Sequence, residues 1–431
     1  MSAGERTATR SEELYRRALE LLPGGVNSPV RAMRAIGRDP VFVERGEGPW
    51  LYDVDGNRYV DYVCSWGPLI AGHAQPAVIA AVTAAAARGT SFGAPTEGEV
   101  ELAAEVVERV PGAEMVRMTS SGTEASMSAI RLARAATGRD PVVKFAGAYH
   151  GHVDGLLADA GSGLATQGIP SSPGVTKAQA ADTVIVPWND REAVERSIEE
   201  RPPAAILAEP FPANMGLVPP APGFLEFLRE AASAAGALLV FDEVITGFRV
   251  SRGGAQERSG VTPDLTILGK VIGGGLPAAA YAGPRTFMQM VAPAGSVYQA
   301  GTLSGNPLAV AAGIATLRLL DDAAYLRLEQ TTRALAQGLS AAASEHGVPA
   351  KVTWAPGLLT LFFSAGEISD LASVQACDME MHAAFCRAML ARGVYLPPSQ
   401  YEAWFPSLVH GDEELELTLE AAARSFAEVA G

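Results

Sequence analysis

Two apolar runs in this chain each lead to a residue able to do covalent or acid–base work. Residues 237–241 (ALLVF) are followed by Asp242 and Glu243, and residues 265–268 (LTIL), which come after the turn signal Thr262-Pro263-Asp264, are followed by Lys270. Runs so short and apolar predict buried parallel strands rather than free-standing helices. Ligands of open α/β sheets sit outside the carboxyl ends of the strands, so Asp242 and Lys270 are expected at one mouth. A lysine there can attack a carbonyl and hold it as an imine, provided its surroundings keep part of its amine neutral. An aspartate beside it can keep a proton on a ring nitrogen and so turn the ring into an electron sink. Those are the two protein groups that pyridoxal phosphate chemistry requires. Taken alone, the pair decides little, since a surface lysine and a helix-capping aspartate are the commoner reading.

Other residues add to the same chemistry. The stretch MTSSGTEA (118–125) follows a short apolar run and opens a helix predicted over 125–136, placing Ser121, Gly122 and Thr123 at a helix N-terminus. Unpaired N–H groups and the helix dipole favour a phosphate there, although the same residues also describe an ordinary cap with Glu124 in the first turn. In FAGAYHGH (145–152), Tyr149 follows another β-type run, from which its ring could stack on a planar cofactor. His150 and His152 alternate along an extended chain as metal ligands can. They lack a third ligand nearby, and the reading is that no metal is held.

The elements that must position these groups can be read from periodicity. From about residue 61 to 319, helical segments alternate with short apolar runs, as in a doubly wound α/β domain. Before it, residues 1–60 read as a segment with a helix after a Ser11 cap, its apolar face formed by Leu14, Ala18, Leu21 and Leu22. A β-hairpin turning at Asp55-Gly56 follows within 49–64. DVDGN also resembles the start of a calcium loop, but Gly56 comes too early and Cys64 stands where the closing glutamate belongs. Residues 320–431 read as a smaller α/β domain, with helices over 321–346, 378–392 and 413–429 and strands near 358–363. The glycines at 273–275 follow Lys270 without Walker spacing.

Composition narrows the function classes. The 431 residues are 48% hydrophobic, enough for a large core, and the formal charge is −15 with no basic run, which argues against nucleic acid as a partner. No window reaches the roughly 18 apolar residues needed to span a bilayer, so no membrane association is expected. The N-terminus has no secretory or transit pattern, and the cysteines, Cys64, Cys377 and Cys386, are odd in number without metal spacing. A cytoplasmic enzyme with free thiols and a small-molecule substrate is the expectation.

Taken in order, SSGTEA, AYHGHVDGLL, AEPFPANMG, FDEVITGFR, LGKVIGGGLP and YQAGTLSGNPLA resemble the class III, fold-type I aminotransferases. More narrowly, LLPGGVNSPVRA, SWGPLIAGH, ADAGSGLATQGIPSSPGVT and YLPPSQYEAWFPSLVH resemble the glutamate-1-semialdehyde 2,1-aminomutase branch, from end to end. The resemblance implies a large mixed-sheet domain, a smaller α/β C-terminal domain and a homodimer whose active site lies at the subunit interface. It also implies pyridoxal 5'-phosphate, and its pyridoxamine 5'-phosphate form, held by Lys270. Asp242 would pair with the ring nitrogen, Val244 and Tyr149 would flank the ring, and Asn214 would lie near the phenolic oxygen. Ser121, Gly122 and Thr123 would hold the phosphate, completed by Thr302 from the other subunit.

On the substrate side the resemblance implies Arg31 as carboxylate receptor beside Ser28 and Trp66, Glu402 near the amine, and Ser162 in a small-residue lid over 161–175. The implied reaction in tetrapyrrole biosynthesis turns glutamate-1-semialdehyde into 5-aminolevulinate through 4,5-diaminovalerate, with no external amino acceptor. Two alternatives stand beside it. One is a class III aminotransferase that acts on β- or ω-amino acids with a keto-acid acceptor, and the other is a catalytically retired domain of the same fold. Departures fall within 276–284, where Ala279 and Pro284 replace the glycines usual in the aminomutases, which puts local packing rather than a catalytic group in question.

Overall fold

The N-terminal elements are locked by the hairpin that follows them. The computed structural model describes residues 9–158 and 172–430. Strands β1 (Val43–Glu47), β2 (Trp50–Asp53) and β3 (Arg58–Asp61) pair antiparallel in order. The β2–β3 turn is held by the Asp53 carboxylate, which accepts from the N–H groups of Asp55 and Asn57 and from the Tyr59 hydroxyl at 2.7–3.0 Å. The first helix spans Thr9–Leu21, so Ser11 lies inside it rather than capping it. Its cap comes from the turn: Asp55 accepts from the N–H groups of Arg10 and Ser11 at 2.8 and 3.1 Å. The buried face of that helix carries Tyr15 and Ala18, while Leu21 is exposed, because the helix rests on the turn that begins at Pro23.

The sheet that carries the chemistry has seven strands. These are β4 (Met115–Thr119), β5 (Val142–Phe145), β6 (Thr183–Val186), β7 (Ala205–Ala208), β8 (Leu238–Glu243), β9 (Leu265–Leu268) and β10 (Ala279–Gly283), ordered β4-β10-β9-β8-β7-β5-β6. Strands β9, β8, β7, β5 and β6 run parallel. β10 is antiparallel to both β9 and β4, and the double reversal makes β4 parallel to the rest. The carboxyl ends of β4, β5, β7, β8 and β9 therefore meet at one edge. Helices cover both faces, so β5, β7, β8, β9 and β10 are buried at every position, the condition under which parallel strands read as unbroken apolar runs. Of the two departures from the usual glycines, Ala279 lies buried within β10 and Pro284 stands just before the short helix Arg285–Met288.

C-terminal to this sheet come the helix Asp322–Glu345, the antiparallel pair β11 (Lys351–Ala355) and β12 (Leu358–Phe362), and the helices Met379–Ala391 and Asp412–Ala430. Asp321 and Asp378 cap the first two long helices by accepting from Ala324 and Met381, each at 2.8 Å. β13 (Val394–Tyr395) joins β3 in parallel, Val394 facing Val60. One core accordingly contains Met33, Ile36 and Tyr62 from the N-terminal segment together with Leu339, Phe385 and Phe426 from the C-terminal helices. Among the described residues no helix is long and apolar enough to cross a membrane.

Candidate active site

Lys270 follows β9 by two residues and stands in the left-handed region at φ 48°, uncommon for a non-glycine residue and held by the buried Val271 and Ile272 behind it. It lines a cavity of about 360 Å³ at the carboxyl edge of the sheet, together with Asp242, Glu209, Tyr149, Asn214 and the Ser121–Thr123 corner. Burial pushes its amine below the ordinary lysine range, because the charged form loses water. Asp242, Glu402 and Glu209 oppose that effect, and the Arg249 charge adds to it.

Asp242 is buried and fixed on both oxygens. The Nδ1 of His150 lies 2.7 Å from Oδ2, and the Val244 N–H donates to Oδ1 at 3.0 Å. A carboxylate only accepts, so the proton of the His150 ring sits on Nδ1. His150 is thus an orienting partner of Asp242 rather than a metal ligand, and His152 is turned to Thr123, with Nδ1 3.1 Å from Oγ1. Among the described residues no group of three or more His, Cys, Asp or Glu is placed to hold a metal. Val244 forms the cavity floor. A Cβ built on Gly122 or Gly269 would come within 3.2 or 3.0 Å of its methyl groups, so only glycine at both positions seats it without displacement.

The helix Gly122–Thr137 aims its N-terminus into the cavity. Ser121 caps it with Oγ 3.2 Å from the Glu124 N–H, and Glu124 returns to the N–H groups of Ser120 and Ser121 at 2.6 and 3.1 Å. The capping reading and the anion-site reading hold together, since the cap uses other donors and leaves the first-turn N–H groups of Gly122 and Thr123 without intrahelical acceptors. On the other side, Glu209 accepts from Tyr149 N–H at 2.9 Å, Ala213 N–H at 3.0 Å and Asn214 Nδ2 at 2.9 Å. Burial raises the Glu209 carboxyl above its ordinary range, with His150 opposing the rise. Burial likewise raises the Tyr149 hydroxyl, with Glu402 and Asp242 adding to it, so the ring stays a neutral phenol.

The residues expected on the substrate side are placed differently. Glu402 is half-buried and its charge is felt at both Lys270 and Tyr149. Trp66 is half-buried in the turn Cys64–Trp66, whose three residues all adopt left-handed φ of 45°, 57° and 68°. The next residue, Gly67, abuts the lysine: a Cβ there would lie 3.1 Å from Lys270 Cδ. Arg31 is exposed on the turn Pro29–Ala32 preceded by Ser28, and its charge is felt at Tyr395 rather than at the cavity. Thr302 is exposed and lies outside this cavity. Ser162, with residues 161–171 of the expected lid, lies outside the described residues. The sequence reading passed over Glu209 and Arg249, although both stand in its quoted motifs. An acid directly after the apolar run Ala205–Ala208 is the same signal that drew attention to Asp242.

Comparison with known proteins agrees with this geometry. The class III aminotransferase family model matches residues 33–425. A glutamate-1-semialdehyde 2,1-aminomutase of Roseiflexus castenholzii is 58% identical over 417 residues, covering 96% of each chain. One of Thermomicrobium roseum is 56% identical over 423 residues, covering 97% of this chain and 98% of its own. Among solved structures, an omega-transaminase from Sphaerobacter thermophilus matches with a TM-score of 0.91 at 35% identity, covering 97% of this chain and 98% of that one. A glutamate-1-semialdehyde-aminomutase from Pseudomonas aeruginosa in complex with PMP matches with a TM-score of 0.87 at 29% identity, over 98% and 95%. With a buried lysine and aspartate at the carboxyl edge of a mixed sheet, and with family similarity along nearly its whole length, this chain belongs to the class III aminotransferase family, in the fold-type I architecture.

Proposed function

We propose that the chain catalyses intramolecular amino transfer, converting (S)-4-amino-5-oxopentanoate, glutamate-1-semialdehyde, to 5-aminolevulinate. The observation that carries this reading is full-length identity of 56–58% to proteins bearing that name, against 35% to the omega-transaminase of more similar shape. The cavity fits pyridoxal phosphate by its lining: a lysine amine whose pKa burial lowers, a carboxylate fixed by His150, the apolar Val244 and a helix N-terminus. When bound, that cofactor supplies an aldehyde for the amine and a ring that takes up the electron pair released at the carbon next to nitrogen.

The protein groups then divide the work. Asp242 would hold a proton on the ring nitrogen, and His150 keeps Asp242 aimed. Lys270 Nζ would move a proton between the two carbons that flank the reacting nitrogen, and its lowered pKa favours the neutral amine that this needs. Val244 and Tyr149 would flank the ring, and Asn214, tethered by Glu209, would lie near the phenolic oxygen. Gly122 and Thr123 N–H groups and the Ser121 and Thr123 hydroxyls would hold the phosphate. Arg31 with Ser28 and Trp66 would receive the substrate carboxylate, and Glu402 the amine.

A homodimer completes the site in this reading. Exposed Phe92 and Val100 line two grooves that meet at Thr96, and the exposed Tyr298, Thr302 and Leu303 stand in the segment whose Gln299, Ala300, Gly301 and Ser304 line the second groove, available to a second copy. The decisive test supplies glutamate-1-semialdehyde alone and assays 5-aminolevulinate. Product formed without any keto acid supports the proposal, whereas a requirement for pyruvate or another acceptor would replace it with an ω-amino acid transaminase. Borohydride reduction of the cofactor-loaded protein is expected to leave a pyridoxyl group on the peptide containing Lys270.

A further inference from the structure

Arg249 is a fully buried cation that the mechanism above does not use. Its Nη1 donates to the carbonyls of Gly357 at 3.0 Å and Pro406 at 3.1 Å, and its Nη2 donates to the carbonyl of Gly67. Those carbonyls come from three segments far apart in sequence. They are the end of the left-handed turn containing Trp66, the β11–β12 turn, and the loop that carries Glu402. Among the described residues no carboxylate lies within ion-pair distance of it, and its Nε has no partner. Its guanidinium carbon lies 5.3 Å from the ring centre of Phe405. A Cβ on Gly67 would come within 3.0 Å of the same ring and 3.1 Å of Lys270 Cδ. Cation, ring, glycine and catalytic lysine are therefore packed in one continuous contact.

A buried guanidinium without a counter-ion is costly, and a merely structural staple could be made by a neutral donor. A planar guanidinium holds its donors in a fixed fork, so it can bind three carbonyls from different segments with little loss of freedom. We infer that Arg249 is a positioning residue of the reaction: it clamps the Gly67 turn and the Glu402 loop against Lys270. Residues 64–66 accept unfavourable backbone conformations, and that segment is pinned at both ends. At the start, Asp61 accepts from the N–H groups of Val63 and Cys64 at 2.8 and 3.1 Å; at the end, Arg249 holds Gly67. This rests on the aminomutase reading only for the substrate used in the assay.

The test compares wild type with Arg249→Lys, which keeps the charge but loses the fork, and Arg249→Met, which loses both. Hydrogen exchange of the amides in 63–69 and 402–408, measured without cofactor, is expected to speed up about tenfold in both variants while the central sheet stays protected. With cofactor, kcat is expected to fall between about tenfold and a hundredfold, with a smaller change in KM. The pH at which the visible absorbance of the bound cofactor titrates should rise in Arg249→Met, because the Arg249 charge then no longer offsets Asp242, Glu402 and Glu209 around Lys270, with Tyr149 and His150 also facing the site. In Arg249→Lys it should stay near wild type. Variants that lose only thermal stability, with exchange in both stretches, kcat and the titration unchanged, would overturn the inference. If Arg249→Met does not fold, the exchange and kcat of Arg249→Lys decide. A wild type that forms product only with a keto acid refutes the substrate assignment and leaves the exchange comparison standing.

Discussion

At the scale of single residues, burial is the main control. Lys270 is tuned mostly by loss of water, so its reactivity depends on the packing that keeps water out. Gly269 illustrates how tight that packing is. Gly269→Ala would place a methyl 3.0 Å from Val244 and push its side chain toward the ring, and cofactor affinity is expected to drop about tenfold by absorbance titration of the apoprotein. His382 and His410 show the same effect away from the chemistry: burial lowers each from 6.5 to about 4. Both are neutral in the fold but take up protons when unfolded, so their contribution is present above pH 6.5 and is lost as pH falls toward 4. By linkage each amounts to roughly 3 kcal/mol. Urea unfolding at pH 7 and pH 4.5 is expected to show that loss, and His382→Gln to flatten the slope between them.

At the scale of elements, caps set the boundaries that periodicity leaves vague. The strand Leu265–Leu268 and the helices capped by Asp321 and Asp378 fall where turn residues and apolar runs place them, because both signals lie within a few residues of each other. The first helix differs. Its cap is supplied from 44 residues away, by Asp55 on Ser11, and no local pattern announces that. Asp55→Ala should cost about 1 kcal/mol locally, seen as faster amide exchange within residues 9–21 and little change in global unfolding. The capping box at Ser121 and Glu124 teaches the complementary lesson. A local motif can be both a cap and a ligand site when the donors it uses differ from those it leaves open.

For the whole molecule, the order of strands decides function. Reversal of β10 between β9 and β4 brings the Ser121 corner to the same edge as Asp242 and Lys270, and no pairwise spacing in the chain reveals that. The exposed apolar residues around Thr96 belong to this scale as well. Phe92→Glu and Val100→Glu are expected to yield monomers in sedimentation velocity and to lose 5-aminolevulinate formation together, since Thr302 would no longer reach a second site. A monomer that retained full activity would remove the shared-site proposal.

The sequence by itself determined the residue types of the chemistry and the elements that bear them. An acid or a lysine after a short apolar run, and a Ser-Gly-Thr corner before a helix, are local patterns carried by neighbouring residues. Only the tertiary structure decided which of those groups meet, that His150 orients Asp242, that Glu209 tethers Tyr149 and Asn214, and that Arg249 gathers Gly67, Gly357 and Pro406. The physical reason is that, apart from the short-range bond of Glu209 to Asn214, these bonds join residues tens to hundreds of positions apart, and their partners are chosen by desolvation inside a packed core rather than by any spacing along the chain.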